Sequence, residues 1–118
     1  MIDVSDLIGI PYKDHGRDLE GLDCYGLAII VCERFGKKLQ DVVYENHDEK
    51  LSDSWAPLLN VRRIDFIKAG SLVEIHVGGT LHIGVALDNQ IMIHATINQG
   101  VRISKIAAYK VAAVYEVI

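Results

Sequence analysis

Cys24, His82 and His94 are the residues of this 118-residue chain whose types and spacing could do chemistry. A thiolate is a strong nucleophile. An imidazole beside it can take the thiol proton as general base and later return it to a leaving amine. A second imidazole on the far nitrogen of the first would fix its tautomer, the orienting role in a catalytic triad. The chemistry implied is acyl transfer through a thioester. The backbone amide of Cys24, if it opens a helix, could donate to the tetrahedral oxyanion. One cysteine with several histidines is a weak signal taken alone, because cysteine is often a small buried hydrophobe and a strand histidine often faces solvent. Cys32 has that ordinary reading, as do His76 on a strand and His15 and His47 in polar loops. Zinc is not expected: there is no C-x-x-C and no H-E-x-x-H.

A helix must position Cys24. Apolar residues at Cys24, Leu27, Ala28, Val31, Cys32 and Phe35 follow a helical period. The preceding segment carries Gly9, Pro11, Gly16 and Gly21 among polar residues and reads as a loop. Asp23 is placed to cap the helix, and Gly36 to end it in the left-handed region, with Lys37 and Lys38 just beyond. At the helix start the positive end of the dipole favours thiolate over thiol. Cys24 and Cys32 would stand about 12 Å apart along the axis, at about 1.5 Å per residue. A disulfide needs the Cα atoms within about 7 Å, so the pair does not bridge.

Strands must position the histidines. From Gly70 onward the sequence alternates: Leu72 to Val77, Leu81 to Leu87, Ile91 to Thr96, Val101 to Ile103 and Val111 to Val117, separated by Gly78-Gly79, Asp88-Asn89 and Asn98-Gln99-Gly100. This predicts an antiparallel meander with the early helix packed on it, an α+β fold. The hairpin register decides whether His82 and His94 share a face. A loop of Asp88-Asn89 alone sends them to opposite faces. A loop of Leu87-Asp88-Asn89, with Asn89 left-handed, sets them directly opposite each other, and any odd-length loop keeps them on one side. Both registers are open in the sequence. Gly84 and Ala86 would leave the histidine face clear for substrate. Ser5 to Ile8 could form one helical turn. Lys37 to Asn60 is the least legible stretch; Ser52 or Ser54 could cap a short helix through Trp55, Leu58 and Leu59, forming a flap or packing on the first helix.

The length fits one domain, residues 1–118. A net charge of -4 with no basic run gives no nucleic-acid footprint. No apolar run reaches the roughly 20 residues that span a bilayer. The N-terminus has neither the basic nor the apolar region of a signal peptide. The expectation is a cytoplasmic protein as synthesised, consistent with two thiols that do not bridge.

The ordered set of motifs resembles the NlpC-type cysteine peptidases, a papain-like family that hydrolyses bacterial cell-wall peptides. Gly9-Ile10-Pro11-Tyr12 is similar to the entry segment, with the tyrosine twelve residues before the nucleophile. Asp23-Cys24-x-Gly26-Leu27 resembles the nucleophile motif. Leu81-His82-Ile83-Gly84-Val85 resembles the general-base strand, Met92-Ile93-His94-Ala95 the third-residue strand twelve positions later, and Gly100-Val101-Arg102-Ile103 the segment that follows. The resemblance implies Cys24 as nucleophile, His82 as base and His94 as orienting residue. It implies Tyr12 as an oxyanion or substrate contact, and Asp23 as a substrate-amine or structural contact. The implied substrate is a γ-D-glutamyl-diamino-acid bond of a peptidoglycan stem peptide, with no cofactor. Two positions depart from the pattern: Tyr25 stands where serine is common, and Gly70-Ser71 where glycine-aspartate is usual. A bulky aromatic at that place is reminiscent of phage tail-associated members, which implies phage tail proteins as partners and delivery by a virion or another signal-free route. The same chemistry would serve an acyltransferase or deamidase, and a tail assembly protein could keep the fold without turnover.

Overall fold

The computed structural model describes residues 2–41, 60–77 and 80–118. The flap and short helix expected around Ser52 to Leu59, and the Gly78-Gly79 turn, lie outside these residues. A small hairpin, β1 (Arg17–Asp18) and β2 (Gly21–Leu22), precedes the helix α1 (Cys24–Arg34). The strands β3 (Val61–Ile64), β4 (Leu72–Val77), β5 (Thr80–Ala86), β6 (Ile91–Thr96), β7 (Gly100–Lys105) and β8 (Lys110–Val117) follow, with one 3-10 turn at Ile106–Ala108. The expected α+β class holds. Met1-proximal residues form successive turns rather than a helix, through Leu7 N–H to Val4 O and Ile10 N–H to Leu7 O.

The six large strands form one antiparallel sheet in the order β3-β8-β4-β5-β6-β7. The meander is therefore β4 to β7. β8 does not extend it but crosses back to lie beside β4, and β3 pairs with β8 at the far edge. A register shift between Glu74 and Ile75 lets β4 follow β8.

Both faces of the sheet centre are covered. On one face α1 contributes Leu27, Ala28, Val31 and Cys32 to a cluster with Leu72, Ile83, Val85, Ile93, Ala95 and Tyr115. On the other, Val73, Ile75, Ala86 and Met92 pack with Ile106, and half-buried Ile67 and Tyr109 lie against them. This second layer explains why β4 is buried at Leu72, Val73, Glu74 and Ile75 in succession. An alternating strand with one wet face would not show that run. No described helix is long and apolar enough to cross a membrane.

Candidate active site

Cys24 opens α1, and Asp23 caps it. Asp23 is extended (φ -88, ψ -179), its Oδ1 accepts from Gly26 N–H at 2.7 Å, and its carbonyl accepts from Leu27 N–H at 3.0 Å. The same Oδ1 accepts from Arg17 Nη1 at 2.8 Å, and Oδ2 accepts from His15 N–H at 3.2 Å. Asp23 is 1% exposed, so its observed contacts are structural: it joins the glycine-rich loop to the helix start. Gly26 is needed there because a Cβ would stand 2.1 Å from Gly16 O. At the other end Gly36 has φ +82, Gly36 N–H bonds Glu33 O, and Lys37 N–H bonds Cys32 O. This is a Schellman stop, as the sequence signalled.

Cys24 is 1% exposed. Cys32, also buried, has its thiol pushed up to about 12 by burial, in keeping with an inert core residue. Tyr12 is half-buried and bridges Leu22. Its segment is tied down by Leu22 N–H to Pro11 O and Lys13 N–H to Leu22 O. Burial raises the Tyr12 pKa, and negative charge at Cys24, Asp14 and Asp23 adds to it, so the phenol keeps its proton. Tyr25 is buried too. Its hydroxyl donates to Gln40 O at 2.6 Å and its ring lies 5.9 Å from the Arg17 guanidinium, so it anchors the chain after the helix.

The histidines come together on the sheet. Val85 pairs with Ile93, Ala86 with Met92, and Leu87 N–H bonds Ile91 O. The loop is therefore Asp88-Asn89-Gln90, neither of the two expected spans. Asp88 Oδ1 accepts from Gln90 N–H (2.7 Å) and Ile91 N–H (2.9 Å), which makes Asp88 the first loop residue. Asn89 is not left-handed; His15 is the one non-glycine with positive φ among the described residues. The odd length keeps both histidines on one face, but His94 sits diagonal to His82 rather than opposite. Continuing the register sets Gly84 opposite His94. A Cβ on Gly84 would stand 2.9 Å from Met92 Sδ, 3.2 Å from Ile93 O and 3.3 Å from His94 Cβ. The room at Gly84 and Ala86 is thus filled by Met92 and His94, not kept for substrate.

His82 Nε2 and His94 Nδ1 are 3.1 Å apart, with ring centroids at 5.2 Å and planes at 69°. His94 Nε2 meets Ser104 Oγ at 2.8 Å, and the Tyr109 ring packs edge-on at 5.5 Å. His94 is 1% exposed; burial first, and Arg102 across the β6–β7 ladder second, lower its pKa to about 4, so it is neutral at pH 7. Sequence reasoning missed Ser104 and Tyr109. It ended the strand at Ile103, one residue short of Ser104, whereas β7 runs to Lys105.

The two halves lie at one end of the sheet. Gly9 N–H bonds Val101 O, Val101 N–H bonds Ile10 O, and a Cβ on Gly100 would meet Ile10 O at 2.3 Å, so the Tyr12 segment lies where β7 begins. Tyr12 is close enough to Cys24 for charge there to raise its phenol pKa. Phe35, beyond the other end of α1, packs on Gly70, whose N–H bonds Ala86 O at the end of β5. The helix therefore runs along β5 from start to finish and packs on β5 and β6. Cys24 sits at the end where β5 begins and β6 finishes. There, among the described residues, β5 and β6 no longer pair as a ladder, since their partners are confined to Val85, Ala86, Met92 and Ile93. By parity the histidines occupy the sheet face away from α1. Among the described residues no cluster of His, Cys, Asp and Glu is arranged to hold a metal ion.

Comparisons with known proteins bear on the fold and the family. The chain is 30% identical over 106 residues to the murein DD-endopeptidase MepS/murein LD-carboxypeptidase of Escherichia coli strain K12, and equally to that of Escherichia coli O157:H7. The match takes in 88% of this chain and 52% of the relative, so the chain spans about half the length of the curated relatives it matches. Among solved structures, the NlpC/p60 domain of the peptidoglycan hydrolase SagA superposes with a TM-score of 0.62 at 23% identity, covering 92% of this chain and 87% of that one. NlpC2 from Trichomonas vaginalis superposes at 0.57 and 18% identity, over 92% of this chain and 42% of that one. The NlpC/P60 family model matches residues 9–116, from the entry glycine through nearly all of β8, and by that match the chain belongs to the NlpC/P60 family.

Proposed function

We propose that this chain is a cysteine hydrolase of bacterial cell-wall peptides, with a papain-like arrangement of one helix facing one antiparallel sheet in a single domain. The observation that carries the reading is the His82–His94 bond at the sheet end where α1 begins with Cys24. Because His94 holds His82 Nε2, the thiol would exchange its proton with His82 Nδ1. The Cys24 thiolate attacks the amide carbonyl. The oxyanion faces the first-turn amides of α1 and the Tyr12 phenol, which burial keeps protonated. Collapse breaks the C–N bond, and the His82 imidazolium gives its proton to the leaving amine. Water, deprotonated by the same imidazole, then cleaves the thioester. Similarity to the murein endopeptidase favours a stem-peptide bond, of which the γ-D-glutamyl-diamino-acid bond is the proposed member.

Mass spectrometry of muropeptides after incubation with peptidoglycan tests this. New amine ends with the wild-type chain and none with Cys24→Ala are expected; equal release by both sinks the assignment. A second reading, a tail or scaffold protein that keeps the fold without turnover, is favoured by the 1% exposure of Cys24. A thiol-reactive probe near pH 7 separates them, since an activated Cys24 outpaces Cys32 by orders of magnitude and a scaffold cysteine does not. Acyl transfer or deamidation of another amide would pass the thiol test and fail the muropeptide test.

A further inference from the structure

We infer that Ser104 is a positioning residue that fixes the tautomer of His94 and, through it, the proton on His82. This rests on the hydrolase reading above. The network runs His82 Nε2, His94 Nδ1, His94 Nε2, Ser104 Oγ, with links of 3.1 and 2.8 Å.

A neutral imidazole has one donor and one acceptor nitrogen. His94 is neutral at working pH, so its two bonds must run in the same direction along the chain. Only one direction suits the chemistry. When the thiol gives its proton to His82 Nδ1, both nitrogens of His82 carry hydrogen. His82 Nε2–H must then donate to His94 Nδ1, which must be an acceptor. The His94 proton therefore sits on Nε2 and needs an acceptor of its own, and Ser104 Oγ stands there. In the opposite direction, with Ser104 donating, His94 would hold its proton on Nδ1. It would then meet the Nε2–H of a protonated His82 head-on, or force His82 to keep its single proton on Nδ1, where it cannot accept from a thiol.

The groups around His94 leave this part to Ser104. Across β7, Arg102 lies on the His94 pair and is a donor only; Tyr109, just after the 3-10 turn, meets His94 ring to ring in a T-shaped contact; from β5, Gly84 offers no side chain. Ser104 itself is half-buried on the same face as Met92, its ladder partner. On α1's side the charged and titratable groups include Cys24, Asp23, Tyr12, Asp14 and Arg17.

Two measurements test the assignment. The first is the rate of carbamidomethylation of Cys24 by iodoacetamide from pH 5 to 10, read by peptide mass so that Cys32 is separate. Ser104→Ala is expected to slow it about tenfold near pH 6, the cost of one charge-linked hydrogen bond, and to leave it unchanged at pH 10, where an activated thiol is ionised without help from the imidazole. Ser104→Thr, which keeps the hydroxyl, is expected to restore the low-pH rate. A role in packing alone would slow both ends or neither. The second is 15N NMR of the imidazole nitrogens: His94 protonated on Nε2 in the wild type, and on a mixture in Ser104→Ala. An unchanged low-pH rate, or an Nδ1–H tautomer of His94 in the wild type, overturns the inference. A wild-type Cys24 that titrates like an ordinary thiol instead sinks the hydrolase reading, while the NMR tautomer still decides the part played by Ser104.

Discussion

Replacing Asp23 with alanine removes three hydrogen bonds from one buried carboxylate: those from Gly26 N–H, Arg17 Nη1 and His15 N–H. The N-cap bond contributes about 1 kcal/mol, as caps generally do. The Arg17 pair adds less than its 2.8 Å length suggests. Arg17 is itself 27% exposed, so solvent screens the pair, and the guanidinium keeps Gly16 O at 2.9 Å and Asp41 at 3.1 Å when Asp23 is gone. It is not orphaned, and its share is about 1 kcal/mol. The expected total is about 2 kcal/mol, or about 8 °C in Tm for a domain of this size. Asp23→Asn discriminates cap from charge. Its amide oxygen still caps Gly26, so only the Arg17 and His15 bonds weaken, and about half the loss is expected.

Urea denaturation of the three proteins is the assay, with equal slopes required for the comparison to hold. Asp23→Ala within about 0.5 kcal/mol of wild type would refute the view that Asp23 joins loop and helix. So would an Asn variant as unstable as the Ala variant, since the cap would then contribute nothing.

Gly84→Ala is expected to push β6 outward, because Ile93 O and His94 Cβ stand 3.2 and 3.3 Å from the new methyl; amide hydrolysis should fall far more than Tm does, as His94 leaves His82. Tyr25→Ser should destabilise by about 3 kcal/mol, since it empties a buried aromatic site and drops the bond to Gln40 O, a loss measurable by thermal unfolding. His94 has a pKa of about 4 when folded against 6.5 ordinarily, so the unfolded chain binds the extra proton between those values. Stability from this group is full above pH 6.5 and is lost as pH falls towards 4, by about 3 kcal/mol in all. The difference between wild type and His94→Gln in denaturation at pH 7 and pH 4.5 measures it, and a difference that does not change with pH would refute the depressed value.

The helix was legible because its signals are local. The cap Asp23, the apolar period and the stop at Gly36 all act within four residues of where they stand, and the structure uses each of them. The strands were legible as strands, but their partners were not. β8 alternates like its neighbours, and nothing in Lys110–Val117 says that it crosses back to β4 instead of extending past β7. β3 lay hidden because Val-Arg-Arg-Ile shows no period that four residues can reveal. The histidine face was legible only as a condition on loop length. The residue that settles the loop is Asp88, whose side chain bonds two amides ahead of it and so begins the turn. Ser104 was missed because its partner is ten residues away across a hairpin, with no local mark.

One physical consequence ties the two halves of the site together. His94 can be buried and neutral only if both its nitrogens are satisfied, and Gly84 is what lets its ring lie close over β5. The same close approach crowds Met92 and Ile93 against β5 and coincides with the point where regular pairing of β5 with β6 stops. Beyond that point β5 runs on beside β4 alone, carrying His82 toward the end of α1 that Asp23 has fixed. A glycine on a strand and an aspartate on a loop therefore set the same distance from opposite sides. Substitutions at the two positions, which share no contact, should add in stability and multiply in their effect on the thiol's reactivity.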